Sequence, residues 1–482
     1  MTELLQTRRL FIVILAIGLF VLAARNVTDP DVWWHLRTGE LMVASHHVFH
    51  ADPYSFTKAG QPWVDHEWLS QLLIFSLYKV DSWAGLIVGF AVLIALTFFV
   101  VFLRCTGRPY VAGAMTAWAA VASVPSWGVR PQMCTLLLGS LFLLVLERST
   151  RRPNLLWWTP LLMLWWVNLH AGYAAGIALL AIFLFGEALD RVFGISPPKP
   201  TRFRNLALAL LACIAIVPLN PYGFTMYRYP LETLHSRAML AYIGEWASPD
   251  FHQGRYSAFL LMLLATMAFA SISPRRLRPS QLFLLAILTY AALRSVRHIP
   301  LFVLVAAPIL SELLTAALER WKKMDLLGRS QPLTLFKLVF NVIILAAFLT
   351  FSVARIRVIL HNQAEVEAKE FPAAAVAFLQ AHQLPRPVMN HYNWGGYFIW
   401  KLYPEYKVYI DGRADLYGDG FMDQFAAAYF VKGETWEAAL NQWQPQTVVL
   451  PPDAPLITAL RLQPGWNEMF VDAQAVVLSR SR

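Results

Sequence analysis

The sequence predicts a polytopic α-helical membrane protein carrying a small α/β domain at its C-terminal end. Three observations support that fold class: long apolar segments recur through most of the chain, alternate connections are short and basic, and strand-like and helix-like stretches alternate in the tail. Of 482 residues, 57% are hydrophobic and 15% charged, against about a quarter charged in soluble domains. Eighteen tryptophans and seventeen tyrosines suit many interface crossings, where amphipathic rings collect.

The net charge of +10 is unevenly placed, with 31 basic and 17 acidic side chains in Met1–Leu360 against 9 and 13 in His361–Arg482. A basic membrane part with a mildly acidic tail fits orientation and contact with anionic membrane lipids, and argues against nucleic acid as a partner. Cys105, Cys134 and Cys213 all fall in apolar runs, so neither a disulfide framework nor a cysteine-rich metal site is expected.

Taken in order, Arg8-Arg9 precedes an apolar segment from Leu10 to about Val27, read as an uncleaved helix because no small-residue cleavage pattern follows it. A cleaved signal peptide is the alternative. After a long loop, 28–82, further spans are expected at Trp83–Leu103, Tyr110–Trp127, Pro131–Leu146, Leu155–Leu169, Ala171–Leu189, Leu206–Leu219, Ser257–Ser271, Gln281–Leu293, Ile299–Leu318 and Leu333–Val353, about eleven in all. With the amino terminus inside, every inside connection is basic: Arg8 and Arg9; Arg104 and Arg108; Arg148, Arg151 and Arg152; Arg191, Lys199, Arg202 and Arg204; Arg275, Arg276 and Arg278; Arg320, Lys322, Lys323 and Arg329. An odd number of spans puts the tail on the outer face, which is periplasmic for a bacterial inner membrane. The expected division is a transmembrane domain, 1–360, with large outer loops 28–82 and 220–256, and an extracytoplasmic α/β domain, 361–482. In that tail a helix should run from Phe371-Pro372 to about His382 and another over Trp436–Trp443. Strands are expected at Pro387–Asn390, Lys407–Ile410, Thr447–Leu450 and Ala473–Leu478.

The first outer loop holds the richest chemistry. In Thr28-Asp29-Pro30-Asp31-Val32-Trp33-Trp34-His35-Leu36-Arg37, Asp29 and Pro30 suit a helix start, which explains Asp29 structurally. Asp31 either answers the helix dipole or projects into a wet cavity with His35 one turn along. A carboxylate can hold or deprotonate an acceptor, and cations can receive a phosphate leaving group. Further on, Asp65, His66 and Glu67 stand between tryptophans; consecutive residues share no helical face, so all three reach one site only if the backbone there is irregular. Asp65 could simply cap the following helix, which leaves His66 as the second functional candidate.

Arg130, Arg294, Arg297 and His298 lie at expected outer span ends, where forked guanidinium donors suit phosphate and snorkelling to lipid is the alternative. His170 sits at a tight turn facing the same side, and Glu245 lies in the long loop 220–256. In the tail, Asn393, Trp394 and Tyr397 follow one expected strand and Asp411 and Arg413 another. Loops past strand ends commonly hold ligands in α/β domains, although Asp411-Gly412 is equally an ordinary turn.

An acidic motif just after the first span, aromatics, His-Leu-Arg, a later Asp52-Pro53-Tyr54 and an outer C-terminal domain together resemble the GT-C glycosyltransferases. That superfamily includes oligosaccharyltransferase catalytic subunits, protein O-mannosyltransferases and aminoarabinose transferases. The resemblance implies a membrane glycosyltransferase with Asp31, or Asp29, at the acidic catalytic position and His35 in support. It implies a polyprenyl-phosphate or diphosphate sugar as donor, with a protein, lipid or glycan as acceptor. Asp65, His66, Glu67, His170, Glu245, Asn393, Trp394, Tyr397, Asp411 and Arg413 are then the acceptor or supporting residues. The loop Ser126–Arg130 lacks the second acidic motif of oligosaccharyltransferases, which argues against a metal; a divalent cation, Mg or Mn, if any, would fall to Asp31 and Glu245. Asn393-Trp394-Gly395-Gly396-Tyr397 differs in order from their Trp-Trp-Asp-Tyr-Gly, so sequon recognition is not carried over. The rival classes are a transporter or flippase of a lipid-linked precursor, for which the spans hold too few charges, and a noncatalytic glycan-binding assembly protein.

Overall fold

The computed structural model describes residues 7–194, 199–320 and 334–481. The chain divides into two compact units, the first comprising Met1–Arg25, Ile87–Tyr227 and Gly244–Leu360, the second Asn26–Leu86, Arg228–Ile243 and His361–Arg482. A division thus falls after Leu360, but the tail shares its unit with the first long loop and with part of the loop 220–256. The expected basic connection Lys322, Lys323 and Arg329 lies outside the described residues.

Every one of the eleven apolar segments forms a helix, at Thr7–Ala23, Trp68–Arg104, Pro109–Ser123, Gln132–Arg148, Trp158–Leu169, Tyr173–Val192, Pro200–Ile216, Ser257–Ile272, Pro279–Arg294, Ile299–Arg320 and Leu335–Glu370. Proline opens three of them, where its missing N–H costs nothing. Among the described residues six helices are long and apolar enough to cross a membrane, which makes the chain an integral membrane protein. The other five have 12 to 17 described residues, fewer than a perpendicular span needs. In the first unit Ile299–Arg320 is the central helix, buried along most of its length against Pro109–Ser123, Ser257–Ile272 and Pro279–Arg294. The helix Trp68–Arg104 is interrupted by non-helical backbone at Asp81 and Ser82, close to where the second apolar span was expected to begin.

The second unit is built on a four-stranded sheet in the order β1-β2-β4-β3, with β1 Val388–Asn390, β2 Thr447–Leu450, β3 Trp466–Val471 and β4 Val476–Arg480. β1 and β2 are parallel and the other pairings antiparallel, so the sheet is mixed. The strand expected at Lys407–Ile410 is not part of it. Instead Val408 pairs with Ser55 in a single parallel bridge: its N–H donates to Tyr54 O (3.1 Å) and its carbonyl accepts from Phe56 N (3.1 Å). The Asn390 amide donates to Ile410 O (2.7 Å) and its oxygen accepts from Tyr409 N (2.9 Å), doing for this segment what a ladder would do.

The first loop contributes the helix Val32–Ser45, which packs on Gly395–Leu402 of the tail. Trp33 is sealed between Trp83, Phe371 and Tyr397 with ring centroids 4.8–5.2 Å apart, and Lys401 lies 5.5 Å over its ring. A methyl at Gly396 would strike Pro30 O, and one at Gly395 would strike the backbone of Ile410 and Asp411, so both glycines serve close approach.

The strongest tie is ionic. Arg413 is buried, and its Nη2 lies 2.8 Å from Asp52 and 2.7 Å from Asp411, while its Nε donates to Asp411 Oδ1 (2.8 Å). Tyr417 Oη also donates to Asp411 (2.8 Å), and the guanidinium lies 4.6 Å from the Trp63 ring centroid. Removing one member of such a group strands the opposite charge, at a cost of about 3–5 kcal/mol. Arg413→Ala should therefore lower the unfolding midpoint of the purified protein sharply and open 50–65 and 408–417 to limited proteolysis. An unchanged midpoint and digestion pattern would contradict this role.

Candidate active site

In the second unit the helix starts at Val32, two residues later than Asp29-Pro30 suggested. Asp29 is buried and its Oδ1 accepts from the Asp31 amide (2.9 Å), forming the turn that delivers Asp31 to the N-cap position. Asp31 makes no side-chain cap bond. Its Oδ1 accepts from Trp34 Nε1 (3.1 Å), and its half-buried carboxylate lies so close to Gly412 that a methyl there would have to push it aside. His35 does not meet Asp31 through its ring: its Nε2 lies 3.7 Å from Glu67 Oε1.

The backbone over 64–67 is a turn rather than a helix, which lets the three consecutive ionisable residues gather. His66 Nε2 lies 3.3 Å from Glu67 Oε2, so one carboxylate is shared between two imidazoles. Tyr229 lies against the His66 ring at 4.3 Å between centroids and donates from its hydroxyl to Asp415 (3.0 Å). Burial pulls the His66 pKa down, but the charges of Glu67 and Asp415 outweigh it and the pKa is raised. Burial brings His35 down to about 4 despite Glu67. Asp65 does not cap the helix that begins at Trp68; its Oδ1 accepts from Gln71, and its Oδ2 is buried with no hydrogen-bond partner. Burial, then the neighbouring Glu67, pushes Asp65 up to about 8, so at neutral pH it is mostly protonated.

Other candidates of this unit have structural partners. Asp411 and Arg413 belong to the buried ionic group, and Tyr397 stacks on Phe371 (5.2 Å). Trp394 is buried, its ring 5.2 Å from that of His391, and Asn393 is exposed. Asp52, Tyr229 and Asp415 were not singled out from sequence. The Asp-Pro-Tyr-Ser turn was the available signal for Asp52, whose oxygens accept from Tyr54 N (3.1 Å) and Ser55 N (3.0 Å).

The first unit gathers the expected cations from three segments. Arg130 is ion-paired with Glu245. Arg297 donates to Gln132 (3.1 Å) and lies 5.3 Å over the Trp246 ring, whose centroid is 6.2 Å from that of His298. Ser295 Oγ donates to Glu245 O (2.9 Å), and Val296 N donates to Ala247 O (3.0 Å). Arg294 has an exposed side chain. His170 Nδ1 accepts from Gly172 N (3.0 Å) and sits 2.9 Å from Thr135 Oγ1, so the neutral ring carries its proton on Nε2. Of the two carboxylates expected to hold a cation, Asp31 is bonded to Trp34 and Glu245 to Arg130.

No protein-family model matches the sequence, and comparison with curated proteins finds no relative. Among solved structures the chain is similar to the oligosaccharyltransferase AglB of Archaeoglobus fulgidus in complex with an inhibitory peptide and a dolichol-phosphate. The identity is 12% and the TM-score 0.59, over 91% of this chain and 68% of that one. The Archaeoglobus fulgidus oligosaccharyltransferase tethered to an acceptor peptide containing the NVT sequon matches at 12% identity and TM-score 0.55, over 98% and 74%. Its apo form matches at 12% and 0.53, over 92% and 69%. At this identity the likeness is one of fold, and the chain shares the fold of these oligosaccharyltransferase structures.

Two of the shifted groups, Asp65 and His35, act in opposite senses on stability. Asp65 binds its proton more tightly folded than unfolded, so its contribution is full below pH 4 and is lost as pH rises through about 8. His35 is the reverse: its contribution is full above pH 6.5 and is lost as pH falls through about 4. Asp65→Asn, which keeps the acceptor for Gln71, should match the wild type near pH 4 and exceed it by a few kcal/mol at pH 8. Unfolding midpoints measured across that range check this, and a pH-independent difference would contradict it.

Proposed function

We propose that the chain is an inverting membrane glycosyltransferase of the bacterial inner membrane, with its amino terminus cytoplasmic and its C-terminal domain periplasmic. It moves a sugar or glycan from a polyprenyl-phosphate or diphosphate donor to a protein, lipid or glycan acceptor on the extracytoplasmic face. The observation that carries this reading is Asp31, a half-buried carboxylate bonded to Trp34 and lying against Gly412, within a fold shared with an oligosaccharyltransferase. The dolichol-phosphate and peptides named with that enzyme's structures support a lipid-linked donor and a separate acceptor.

In this reading an acceptor O–H or N–H attacks the anomeric carbon from the face opposite the phosphate. The new bond forms as the carbon–oxygen bond to the phosphate breaks, and the lipid phosphate leaves with the electron pair. The acceptor proton passes to Asp31, which has the geometry of a fixed general base or orienting carboxylate. Arg130, Arg297 and His298 of the first unit, with Arg294, receive the charge that develops on the phosphate. Glu67, shared by His35 and His66, fixes the loop that carries Asp31. A divalent cation is the cofactor to test: Asp31 would offer it a carboxylate, and Glu245 would do so only by leaving Arg130.

Asp31→Asn is nearly isosteric and still accepts from Trp34. Transfer of radiolabel from polyprenyl-phosphate sugars should fall by at least about 100-fold, with the unfolding midpoint little changed. Full activity in that variant would overturn the assignment.

A further inference from the structure

The Arg130–Glu245 pair raises the question of what the first-unit cations are built to accept. Three segments converge there: 126–132, 244–247 and 295–298, stitched by Ser126 Oγ to Val296 O (3.4 Å), Ser295 Oγ to Glu245 O (2.9 Å) and Val296 N to Ala247 O (3.0 Å). Their charges are Arg130, Arg297 and Glu245, with Trp246 beneath Arg297. Two other arginines belong to this region. Arg25 donates to the carbonyls of Val124 (3.0 Å) and Trp127 (2.9 Å), and Arg294 is exposed. A carboxylate lying on a guanidinium fork has the shape and charge of one face of a phosphate. Glu245 therefore already occupies the group that a second phosphate would need, and a partly buried cluster disfavours negative charge that it cannot pair.

We infer that Glu245 selects the donor by charge, taking up Arg130 so that the cluster admits a singly charged phosphodiester and disfavours a diphosphate. This deepens the proposed function and rests on its assignment of the phosphate to these arginines. A donor with two charges must displace Glu245 and leave its carboxylate without a partner, whereas a monophosphate is received by Arg297 with the pair intact. Replacing Glu245 by an amide keeps a hydrogen bond to Arg130 but returns its charge to the ligand.

The test uses the full-length protein in detergent and two sugar-free probes, citronellyl methyl phosphate with one charge and its diphosphate homologue with two. The wild type should bind the monophosphate at least about fivefold more tightly. Glu245→Gln should tighten the diphosphate by about threefold or more, a range set by ion pairs of this exposure, and so narrow or reverse the preference. A wild type that prefers the diphosphate, or a Glu245→Gln variant with an unchanged ratio, overturns the charge selection. If neither probe binds, or if Arg297→Gln leaves binding of both unchanged, the assignment of the phosphate to this cluster falls, and the selection with it.

Discussion

The geometry of the second unit depends on one buried cation. Arg413 is withdrawn from water between Asp52 of the first loop and Asp411 of the tail, and the guanidinium is stacked near Trp63. A buried charge costs several kcal/mol unless it is paired, so this residue obliges two distant segments to stay together. From that constraint follow the bridge between Ser55 and Val408, the bond from Thr57 Oγ1 to Tyr409 O (2.6 Å) and the placing of Gly412 against Asp31. The proposed catalytic carboxylate is thus aimed by an ion group to which it does not belong.

Around it the same loop separates acids and bases by environment alone. Asp65, buried beside Glu67, is driven toward its neutral form, His35 loses its charge to burial, and His66 is shifted toward its charged form by the carboxylates around it. The result is a set of groups close together that hold protons over very different ranges, which is the usual condition for directing a proton one way.

Much of this was legible in the sequence. The apolar runs gave every long helix because burial or lipid contact leaves a continuous hydrophobic signal. Asp29, Asp31 and His35 stood out because charge beside tryptophan at a membrane surface is costly without a task. The misses have physical causes. β3, with Asn467, Glu468 and Met469 largely exposed, carries no period-two alternation and reads as loop. Lys407–Ile410 looks like a strand and is extended, but its partners are a loop residue and the Asn390 side chain, which no local pattern encodes. Asp411-Gly412-Arg413 was open between turn and ligand loop, and Asp52 looked like a turn residue only. Their union depends on contacts between segments far apart in the chain. Apolar composition located all eleven helices, but it does not specify whether one of 12 to 17 residues crosses a bilayer.

The most direct test of this account is amide hydrogen exchange on the intact protein, read at Phe56 and Val408 and compared with Val448 and Val449 in β2. If the first loop and the tail are one cooperative body, the four amides should exchange with matching protection, limited by the same opening of the second unit. Rapid exchange at Phe56 and Val408 while β2 stays protected would show that the loop is not integral to that unit, and the orientation of Asp31 would lose its support.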